Sequence, residues 1–436
     1  YVRAECEGDD ELRELVERLL AGAEETASLL TPGGALAGPL AAELSEELQQ
    51  EDGDGAPSEG TPLGRYRILH ELGRGGMAVV YLAERADGQF EQKVAVKRIK
   101  RGIDTDEVIQ RFDQERQILA LARHPNIARL LDGGVDDTGR PYFVMEYVEG
   151  RPIDRYCDEE MLTVRQRLVL FLQVARAVEY AHRNLVVHRD IKPTNILVSD
   201  GQVKLLDFGI AKLLSPDAGP GESPLTRSYA RVMTPLYASP EQIQGAPITT
   251  ASDVYQLGLL LYLLLAGRWP YRLQGGEAAQ VIQAIAREEP TRPSVALERT
   301  GTHAAPTDET AAEPEEIGAA RGTTAGRLRR QLAGDLDNIV LMALRKEPER
   351  RYASVGRLIQ DIERYLDGEP VSARPDTVLY RTGKFVRRNA PSVATAAAAL
   401  VLLVTLAVFY TVQLRQERDA ARLAAAEATQ VSRFLR

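Results

Sequence analysis

"HRDIKPTN", residues His188–Asn195, is a polar stretch that sets a carboxylate, a lysine and an amide at close spacing. Asp190 can accept a hydroxyl proton or orient an attacking oxygen, Lys192 can neutralise charge on a phosphoryl group, and Asn195 can offer an oxygen to magnesium. A surface turn can carry the same residues by chance. Eight residues do not decide between these alternatives, so partners are needed at fixed distances before and after them.

The first partner lies downstream, in Asp207-Phe208-Gly209. It follows "QVKLL", residues 202–206, an apolar run typical of a short strand. A carboxylate is a hard oxygen ligand of the kind that magnesium prefers. Asp207 and Asn195, twelve residues apart, therefore form a candidate pair of metal ligands.

A glycine-rich run, "GRGGMAVV" at residues 73–80, lies upstream between two predicted strands. Glycines let backbone amides approach phosphate oxygens closely, although a plain hairpin turn is the default explanation for such a run alone. The strand Val94–Lys97 then ends in a lysine, and Glu115 lies on the next predicted helix. Lys97 can hold phosphates and Glu115 can fix its position. Alone, Glu115 would be a solvated helix charge.

Composition bounds the class of protein. The 436 residues are enough for two or three domains, and a net charge of −9 predicts no broad nucleic-acid-binding surface. The two cysteines, Cys6 and Cys157, give neither a metal-type spacing nor a disulfide framework, which fits a reducing compartment. The first 20 residues are acidic and lack the apolar core of a signal peptide.

The order of elements predicts an α+β body with two lobes. Strand-like runs such as "YRILHEL", "AVVYLAE" and "KVAVKRI" come first, a helix at 105–122 and two further strand-like runs follow, and from Val164 the patterning is helical. This order predicts a small β-rich N-lobe, a larger helical C-lobe and a cleft between them. We place this body at residues 66–368, with a flexible insertion at 297–325.

The segments before the body are acidic. Residues 1–48 predict a helical extension, and "DDELRELVERLLA" at 9–21 sets five apolar side chains on one helical face: Leu12, Leu15, Val16, Leu19 and Leu20. A small packing helix is the simpler explanation of this face, and a partner-binding helix is the alternative. Residues 49–65 predict a linker, because they are mostly polar and rich in Gly and Pro.

Residues 392–412 contain no charge, and 21 helical residues span about 31 Å, close to the roughly 30 Å of a bilayer's hydrocarbon core. They predict one transmembrane helix, with a buried core helix as the alternative. A basic juxtamembrane segment, 369–391, precedes them and carries four cations: Arg381, Lys384, Arg387 and Arg388. The positive-inside rule therefore favours a cytoplasmic body. Residues 413–436 predict the start of an extracytoplasmic helix that we expect to continue beyond Arg436.

Together these motifs resemble those of the eukaryotic-like (Hanks-type) protein kinases, and among them bacterial receptor-type Ser/Thr kinases with a C-terminal transmembrane helix. The resemblance covers residues 66–368. It implies an ATP site made by eleven residues: Gly73, Gly75, Gly76, Val80, Ala95, Lys97, Glu115, Met145, Glu146, Val148 and Leu197. It assigns catalysis to Asp190 and Lys192, magnesium (or manganese) to Asn195 and Asp207, and positioning of the substrate hydroxyl to Thr234.

The same resemblance implies supporting roles. His188 would pack rather than act as a base, Asp253 would brace the backbone, and Glu241 would pair with Arg351. Two positions depart from the family pattern. Ala78 replaces the third loop glycine and Ser239 replaces an alanine before Pro-Glu; we expect both to be tolerated.

The resemblance also implies regulation by phosphorylation, through Arg189, which precedes Asp190. In kinases with this pair the arginine meets a phosphate on the activation segment, here residues 207–241. Thr226 and Ser228 are the best-placed acceptors, followed by Ser223 and Tyr229. A phosphate would add about −1.5 to −2 charges and could order the segment.

The implied function is transfer of the γ-phosphoryl group of ATP to Ser/Thr hydroxyls of proteins, with autophosphorylation, by a single-pass kinase of the bacterial plasma membrane. The implied partners are protein substrates, the chain itself, including as a homodimer, and lipid around 392–412, but no nucleic acid. A silent pseudokinase scaffold is one alternative, which the intact metal and base residues disfavour. A small-molecule phosphotransferase is another, which Thr234 disfavours.

Overall fold

A computed structural model describes residues 59–75, 78–88, 91–100, 109, 112–113, 116–117, 120, 123–208, 235–271, 278–298, 313–374, 384 and 389–434. They form two compact units. The first contains the described residues up to Arg116 together with Leu130–Tyr147, and the second contains those of Gln117–Arg129 and from Val148 onward. The predicted helical extension at 1–48 lies outside the described residues.

The first unit is built on a six-stranded antiparallel sheet with the order β1-β2-β3-β4-β6-β5. Its strands are β1 (Pro62–Leu63), β2 (Tyr66–Arg74), β3 (Ala78–Arg85), β4 (Lys93–Ile99), β5 (Leu130–Val135) and β6 (Pro141–Glu146). The strand-like runs of the sequence are thus confirmed. Alternate side chains point to opposite faces, and one face packs a core of Leu63, Tyr66, Ala83, Val94, Val96, Tyr142 and Val144.

The sheet begins earlier than predicted. Pro62 pairs with Arg67 and Leu63 with Tyr66 in an antiparallel register. Leu63 is buried in the core. The linker prediction of 49–65 is therefore wrong for 62–65, because pairing satisfies this backbone and burial of Leu63 adds apolar contact. Residues 49–58 lie outside the described residues.

The second unit is mainly helical and carries a three-stranded sheet, β7-β8-β9. Its strands are β7 (Arg151–Pro152), β8 (Ile196–Ser199) and β9 (Gln202–Leu205). Its helices are α1 (Ile153–Glu159), α2 (Val164–Arg183), α3 (Pro240–Gln244), α4 (Thr250–Ala266), α5 (Ala278–Arg287), α6 (Pro293–Ala296), α7 (Pro314–Ala320), α8 (Ala325–Leu332), α9 (Asp335–Ala343), α10 (Val355–Leu366) and α11 (Ala390–Phe434). Within the described residues, 3₁₀ turns lie at Pro193–Asn195, Pro235–Tyr237 and Pro348–Arg350.

Helix α4 forms the centre of this unit. A capping box of Thr249 and Ser252 starts it, and Gly267, with a φ of 59°, ends it in the left-handed conformation that glycine tolerates. Most of its residues are buried, which explains the nearly continuous apolar run Leu257–Ala266. At Gly258 a Cβ would lie 2.8 Å from the Cβ of Ala343, so this glycine lets α9 pack closely on α4.

The predicted flexible insertion, 297–325, is partly regular. Helix α7 lies within it, and Arg321, 2% exposed, follows that helix. The Arg321 guanidinium donates to the carbonyls of Leu265 at 2.8 Å and Leu264 at 3.2 Å, which end α4. The prediction is therefore wrong for 313–325, because a buried arginine fixes this stretch to orphan helix carbonyls. Residues 299–312 lie outside the described residues.

The folded body also extends past its predicted end at residue 368. The buried carboxylate of Asp361 accepts the amides of Ser372 at 2.8 Å and Ala373 at 2.9 Å, and Val371 is buried. The first part of the predicted juxtamembrane segment is thus attached to α10. Within the rest of that segment, Lys384 lies 2.7 Å from the carboxylate of Asp335, while Arg381, Arg387 and Arg388 lie outside the described residues.

Helix α11 contains the predicted membrane span. Its stretch Pro391–Arg422 is long and apolar enough to cross a bilayer, and none of its most apolar window is buried against the rest of the chain. An exposed apolar helix of this length has no core to join, which distinguishes it from the buried α4. Length and composition fit a span, and the helical prediction for 413–434 is confirmed.

Candidate functional site

Cross-strand pairing lines up the first group of predicted site residues. Gly73 of β2 pairs with Val80 of β3, Val80 pairs with Lys97 of β4, and Lys97 pairs with Phe143 of β6. Residues directly opposite each other in antiparallel strands share a face of the sheet. The lysine Nζ lies 5.6 Å from the centroid of the Phe143 ring, as this register requires. Glycine, valine and lysine therefore lie in one row, on the face opposite the core.

A second row, two residues along each strand, completes this face. Leu82, Ala95 and Met145 pair across β3, β4 and β6. All three are at most 7% exposed, so they form an apolar surface beside the lysine. Such a surface suits a flat aromatic base, and the cation beside it suits phosphate. The face can thus bind both ends of a nucleotide.

The glycine turn sits at the end of these rows. The Gly75 amide donates to the Ala78 carbonyl at 2.9 Å and closes the β2–β3 hairpin. Ala78 is not among the described residues with a positive φ, so the alanine that replaces a family glycine adopts its backbone conformation without strain. Gly76, within the turn, lies outside the described residues.

The catalytic stretch belongs to the second unit and forms a compact polar group. The Lys192 Nζ lies 3.1 Å from the Asp190 Oδ2. The Asn195 Nδ2 donates to the same Oδ2 at 3.0 Å and to the Asp190 carbonyl at 2.9 Å. The aspartate is thus held by a cation and an amide. It is positioned rather than mobile, as a group that orients a hydroxyl must be.

The β8–β9 hairpin brings the two candidate metal ligands together. Ile196 pairs with Leu205, and one step further the Leu206 amide donates to the Asn195 carbonyl at 2.8 Å. Asn195 and Asp207 therefore leave the same end of the hairpin. The Asn195 Nδ2 donates to Asp190, so the Oδ1 of the same amide is the atom that can bind a metal ion. An amide oxygen and a carboxylate are the hard donors that magnesium prefers, so these residues fit the ion.

His188 is a packing residue, as predicted. Its ring is fully buried, and its centroid lies 4.7 Å from that of Phe208. The Nδ1 atom accepts the Asp190 amide at 3.3 Å, and Nε2 donates to the Leu206 carbonyl at 3.1 Å. Burial lowers the pKa of the imidazole and favours the neutral form that makes both bonds. His188 therefore joins the two loops and offers no proton to a substrate.

Helix α4 braces the backbone of the catalytic stretch. The carboxylate of Asp253, 0% exposed, accepts the amides of His188 at 2.7 Å and Arg189 at 2.8 Å. It also contacts the His182 Nε2 at 2.7 Å. The predicted bracing role of Asp253 is confirmed. Arg189, with a φ of 69°, needs such support, because a non-glycine residue pays a steric cost there.

Two glutamines, absent from the sequence predictions, complete this bracing. Gln256 accepts the Ile191 amide at 3.0 Å and donates to the Arg189 carbonyl at 2.9 Å. Gln242 of α3 donates to the same carbonyl at 2.9 Å. The spacing of Asp253 and Gln256 puts both on one face of α4, a signal that sequence reasoning could have used. Gln242 has no such local signal.

The predicted pair of Glu241 and Arg351 is confirmed as a two-pronged ion pair. The two guanidinium Nη atoms lie 2.7 and 2.8 Å from the two carboxylate oxygens, and both residues are buried. Burial by itself would raise the pKa of the Glu241 carboxyl, but the hydrogen bonds and charge of Arg351 lower it overall. The pair fixes α3, which carries Gln242.

The Arg189 guanidinium lies partly inside the second unit. Burial lowers its pKa from the usual value, with the charge of Asp253 acting in the opposite direction. Within the part of the chain that the structure describes, its buried Nε has no hydrogen-bond partner. A poorly solvated cation next to Asp190 in the chain is suited to an anionic partner.

The other predicted site residues divide into two sets. Glu146 ends β6 opposite Val94, Val148 accepts the Gly150 amide at 3.0 Å, and Leu197 is half-buried in β8. Five of them lie outside the described residues: Gly76, Glu115, Thr226, Ser228 and Thr234. The proposed ion pair of Lys97 with Glu115 and the phosphate acceptors remain predictions.

Known proteins match this chain over the same region. The family model of the protein kinase domain matches residues 66–359. The probable serine/threonine-protein kinase SCO3848 of Streptomyces coelicolor is 37% identical over 316 residues, covering 71% of this chain and 41% of that relative. Serine/threonine-protein kinase PrkC of Bacillus subtilis is 34% identical, covering 72% and 42%. PknB of Mycobacterium tuberculosis is 33% identical, covering 71% and 44%. The chain spans less than half the length of these relatives.

Proposed function

The chain belongs to the protein kinase family, and we propose that it transfers the γ-phosphoryl group of ATP to Ser or Thr hydroxyls of protein substrates. One observation carries the proposal: Asp190, held by Lys192 and Asn195, lies in the same unit as Asp207, which leaves the β8–β9 hairpin beside Asn195. This arrangement supports roles for Asp190 as a base and for Asn195 and Asp207 as metal ligands. It disfavours a silent scaffold.

The residues of the first unit would hold the nucleotide. The row of Gly73, Val80 and Lys97 suits phosphates, and the apolar row of Ala95 and Met145 suits adenine. Protein kinases in general use ATP and magnesium. Magnesium bound by Asn195 and Asp207 would neutralise charge that develops on the phosphoryl oxygens. We propose that Glu146, Val148 and Leu197 complete the adenine site, and that Glu115 orients Lys97.

The substrate hydroxyl would be handled by the catalytic stretch. Asp190 would orient this hydroxyl through its carboxylate and take up its proton, while Lys192 would offset negative charge on the transferring group. Thr234 is proposed to position the hydroxyl, which favours a protein acceptor over a small molecule. The names of the relatives, serine/threonine-protein kinases, support the same acceptor class.

The test is labelling of the full chain with γ-labelled ATP and a generic protein acceptor. We expect magnesium-dependent label on Ser and Thr, at most a trace on Tyr, and loss of at least about 90% of it when a chelator removes the metal, because the phosphoryl charge then lacks its counter-ion. Phosphoamino-acid analysis is the measurement. Label mainly on Tyr would refute the proposal, and so would the absence of label with both magnesium and manganese.

We also infer that the chain phosphorylates itself in the activation segment. The motivation is Arg189, whose partly buried cation suits a phosphate, and the acceptors Thr226 and Ser228 within residues 207–241. Peptide mapping of the labelled chain would locate the phosphate. Label found only outside residues 215–234 would contradict this part and leave the kinase activity itself intact.

Anchoring in the bacterial plasma membrane through 392–412, with the kinase body in the cytoplasm, is part of the proposal. Because α11 exposes its apolar residues, we expect the chain to sediment with membranes and to resist extraction by high salt and alkali. Replacing Leu402 and Val404 by Asp should release much of it, since a charge at the bilayer centre costs about 2.5–3.5 kcal/mol. A wild-type chain found mainly in the soluble fraction would refute the anchoring.

A further inference from the structure

A groove of about 1040 Å³ lies on the second unit and is lined by none of the residues assigned to phosphoryl transfer. The end of α9, the turn Pro348–Arg350, α10 and the segment at 369–374 form its walls. Small-molecule pockets measure roughly 300–1,000 Å³. The groove lies at the upper end of this range and is large enough for a peptide segment.

The groove is basic. Five cationic side chains line it, Arg345, Lys346, Arg350, Arg364 and Arg374, against three acidic ones, Glu289, Glu347 and Glu369. Lys346 is used within the fold, since its Nζ donates to the Tyr271 hydroxyl at 2.8 Å and to the Ile285 carbonyl at 2.6 Å. The positive charge that a partner would meet is therefore carried by arginines.

Three of these arginines, Arg345, Arg350 and Arg364, are only loosely satisfied. Arg350 and Arg364 each meet one carboxylate, at 3.6 and 3.7 Å, which is longer than a hydrogen bond. The exposed guanidinium of Arg345 has no acid within 4 Å among the residues that the structure describes. Guanidinium groups prefer two-pronged contact with carboxylates, so the groove can accept several from a partner.

Apolar side chains lie between the charges. Leu341, Met342, Pro290, Pro370 and Val371 share the lining. A partner that fits must therefore be both acidic and apolar. A phosphate or an acidic loop satisfies only the first condition.

This chain contains such a partner. Residues 1–60 hold 16 Asp and Glu against three Arg, a net charge of −13, whereas the whole chain carries −9, so residues 61–436 carry +4. The stretch at 9–21 holds five acids and two arginines, a net charge of −3, and joins this charge to the apolar face predicted for its helix. The 37 residues from 22 to 58 span up to roughly 120 Å, far beyond the radius of gyration of about 19 Å expected for a 300-residue domain.

We propose that the basic groove binds residues 9–21 of the same chain as an amphipathic helix. Glu11 and Glu17 flank the apolar face on such a helix, so their carboxylates meet the arginines at the edges of the groove. The leucine face meets Met342 and its apolar neighbours. Tethering raises the effective concentration of the segment to the millimolar range, so a weak contact suffices. Because the groove is open to solvent, salt weakens the contact.

Cross-linking within the full chain tests this. Cys6 lies three residues before Asp9, and Cys157 is buried, so Met342→Cys places one further reactive thiol in the groove. A short bismaleimide should join Cys6 to the new thiol within one chain at least tenfold more than in Arg155→Cys, an exposed control on α1. Ala373→Cys, also in the lining, serves if the first variant does not fold.

Charge reversal gives the second arm. Arg345→Glu, or Glu11 and Glu17 changed together to Lys, should each lower the cross-linking at least fivefold, and about 0.5 M salt should do the same. Equal yields at the groove and at the control would mean that no segment is specifically bound. Cross-links formed only between two chains would mean that a second copy is the occupant. Either result overturns the proposal, as does insensitivity to both reversals.

Discussion

We expect the Asp190→Asn chain to transfer phosphate about 10²–10⁴-fold more slowly than the wild type, with little change in KM for ATP. The substitution keeps the size of the side chain, so the bond from the Asn195 Nδ2 has an acceptor either way. It removes the carboxylate that faces the Lys192 Nζ at 3.1 Å and that we propose takes up the hydroxyl proton. The loss should therefore appear in kcat, because a transition-state interaction is removed.

Steady-state kinetics with a protein acceptor provide the measurement, and Asp200→Asn provides the control. Asp200 lies exposed at the turn between β8 and β9, with a φ of 48° that asparagine tolerates well. Its replacement should leave kcat within about twofold, as is usual for exposed sites. Equal rates for wild type and Asp190→Asn would show that the labelling does not depend on the proposed base.

Local sequence patterns predicted much of this site because its chemistry is concentrated in short segments. The stretch His188–Asn195 contains the proposed base and one proposed metal ligand, and Asp207 follows at the length of one hairpin. The strand periodicity of 94–97 is enough to place Lys97 and Ala95 on one face. Motif spacing alone is thus enough to identify the residues that we propose surround the reacting groups.

The remaining structure depends on contacts between distant residues, which no local pattern reveals. Arg321 orders a stretch whose composition predicts a loop, because it reaches carbonyls that end a helix 56 residues earlier. Asp361 likewise holds Ser372 and Ala373 beyond the predicted domain end. A charged residue predicts solvent exposure, so burial of either side chain could not be anticipated.

Gln242 links α3 to the backbone of His188–Asn195. It follows Glu241 at the end of the activation segment and donates to the Arg189 carbonyl. Gln256 donates both to that carbonyl and to the Gln242 side chain, at 2.9 and 3.0 Å. A shift of α3 would therefore strain the hydrogen bonds that hold the Arg189 carbonyl and would move the backbone of His188–Asn195. The stability of α3 depends in turn on its ion pair with Arg351.

Replacing Arg351 by Met should lower the free energy of unfolding by about 3–5 kcal/mol, or the melting temperature by roughly 6–20 °C. The change leaves the buried Glu241 carboxylate with the Ser252 hydroxyl, at 2.6 Å, but without its cation. It also removes donors to the carbonyls of Arg345 and Ala251. Removing one partner of a buried pair is costly because the remaining charge is neither solvated nor compensated.

Arg176→Met is the matched control. Its pair with Glu363 has a similar distance, 2.8 Å, but the two side chains are 53% and 44% exposed, so the loss should stay below about 1 kcal/mol.

The stabilisation by the Glu241–Arg351 pair should also depend on pH. Since the pKa of Glu241 is lowered in the folded chain, the stabilisation by the pair is present above about pH 4.5 and is lost as the pH falls through the lowered value. Melting curves of the two variants near pH 7 should therefore differ strongly, and curves that coincide would show that the pair does not hold α3 in place.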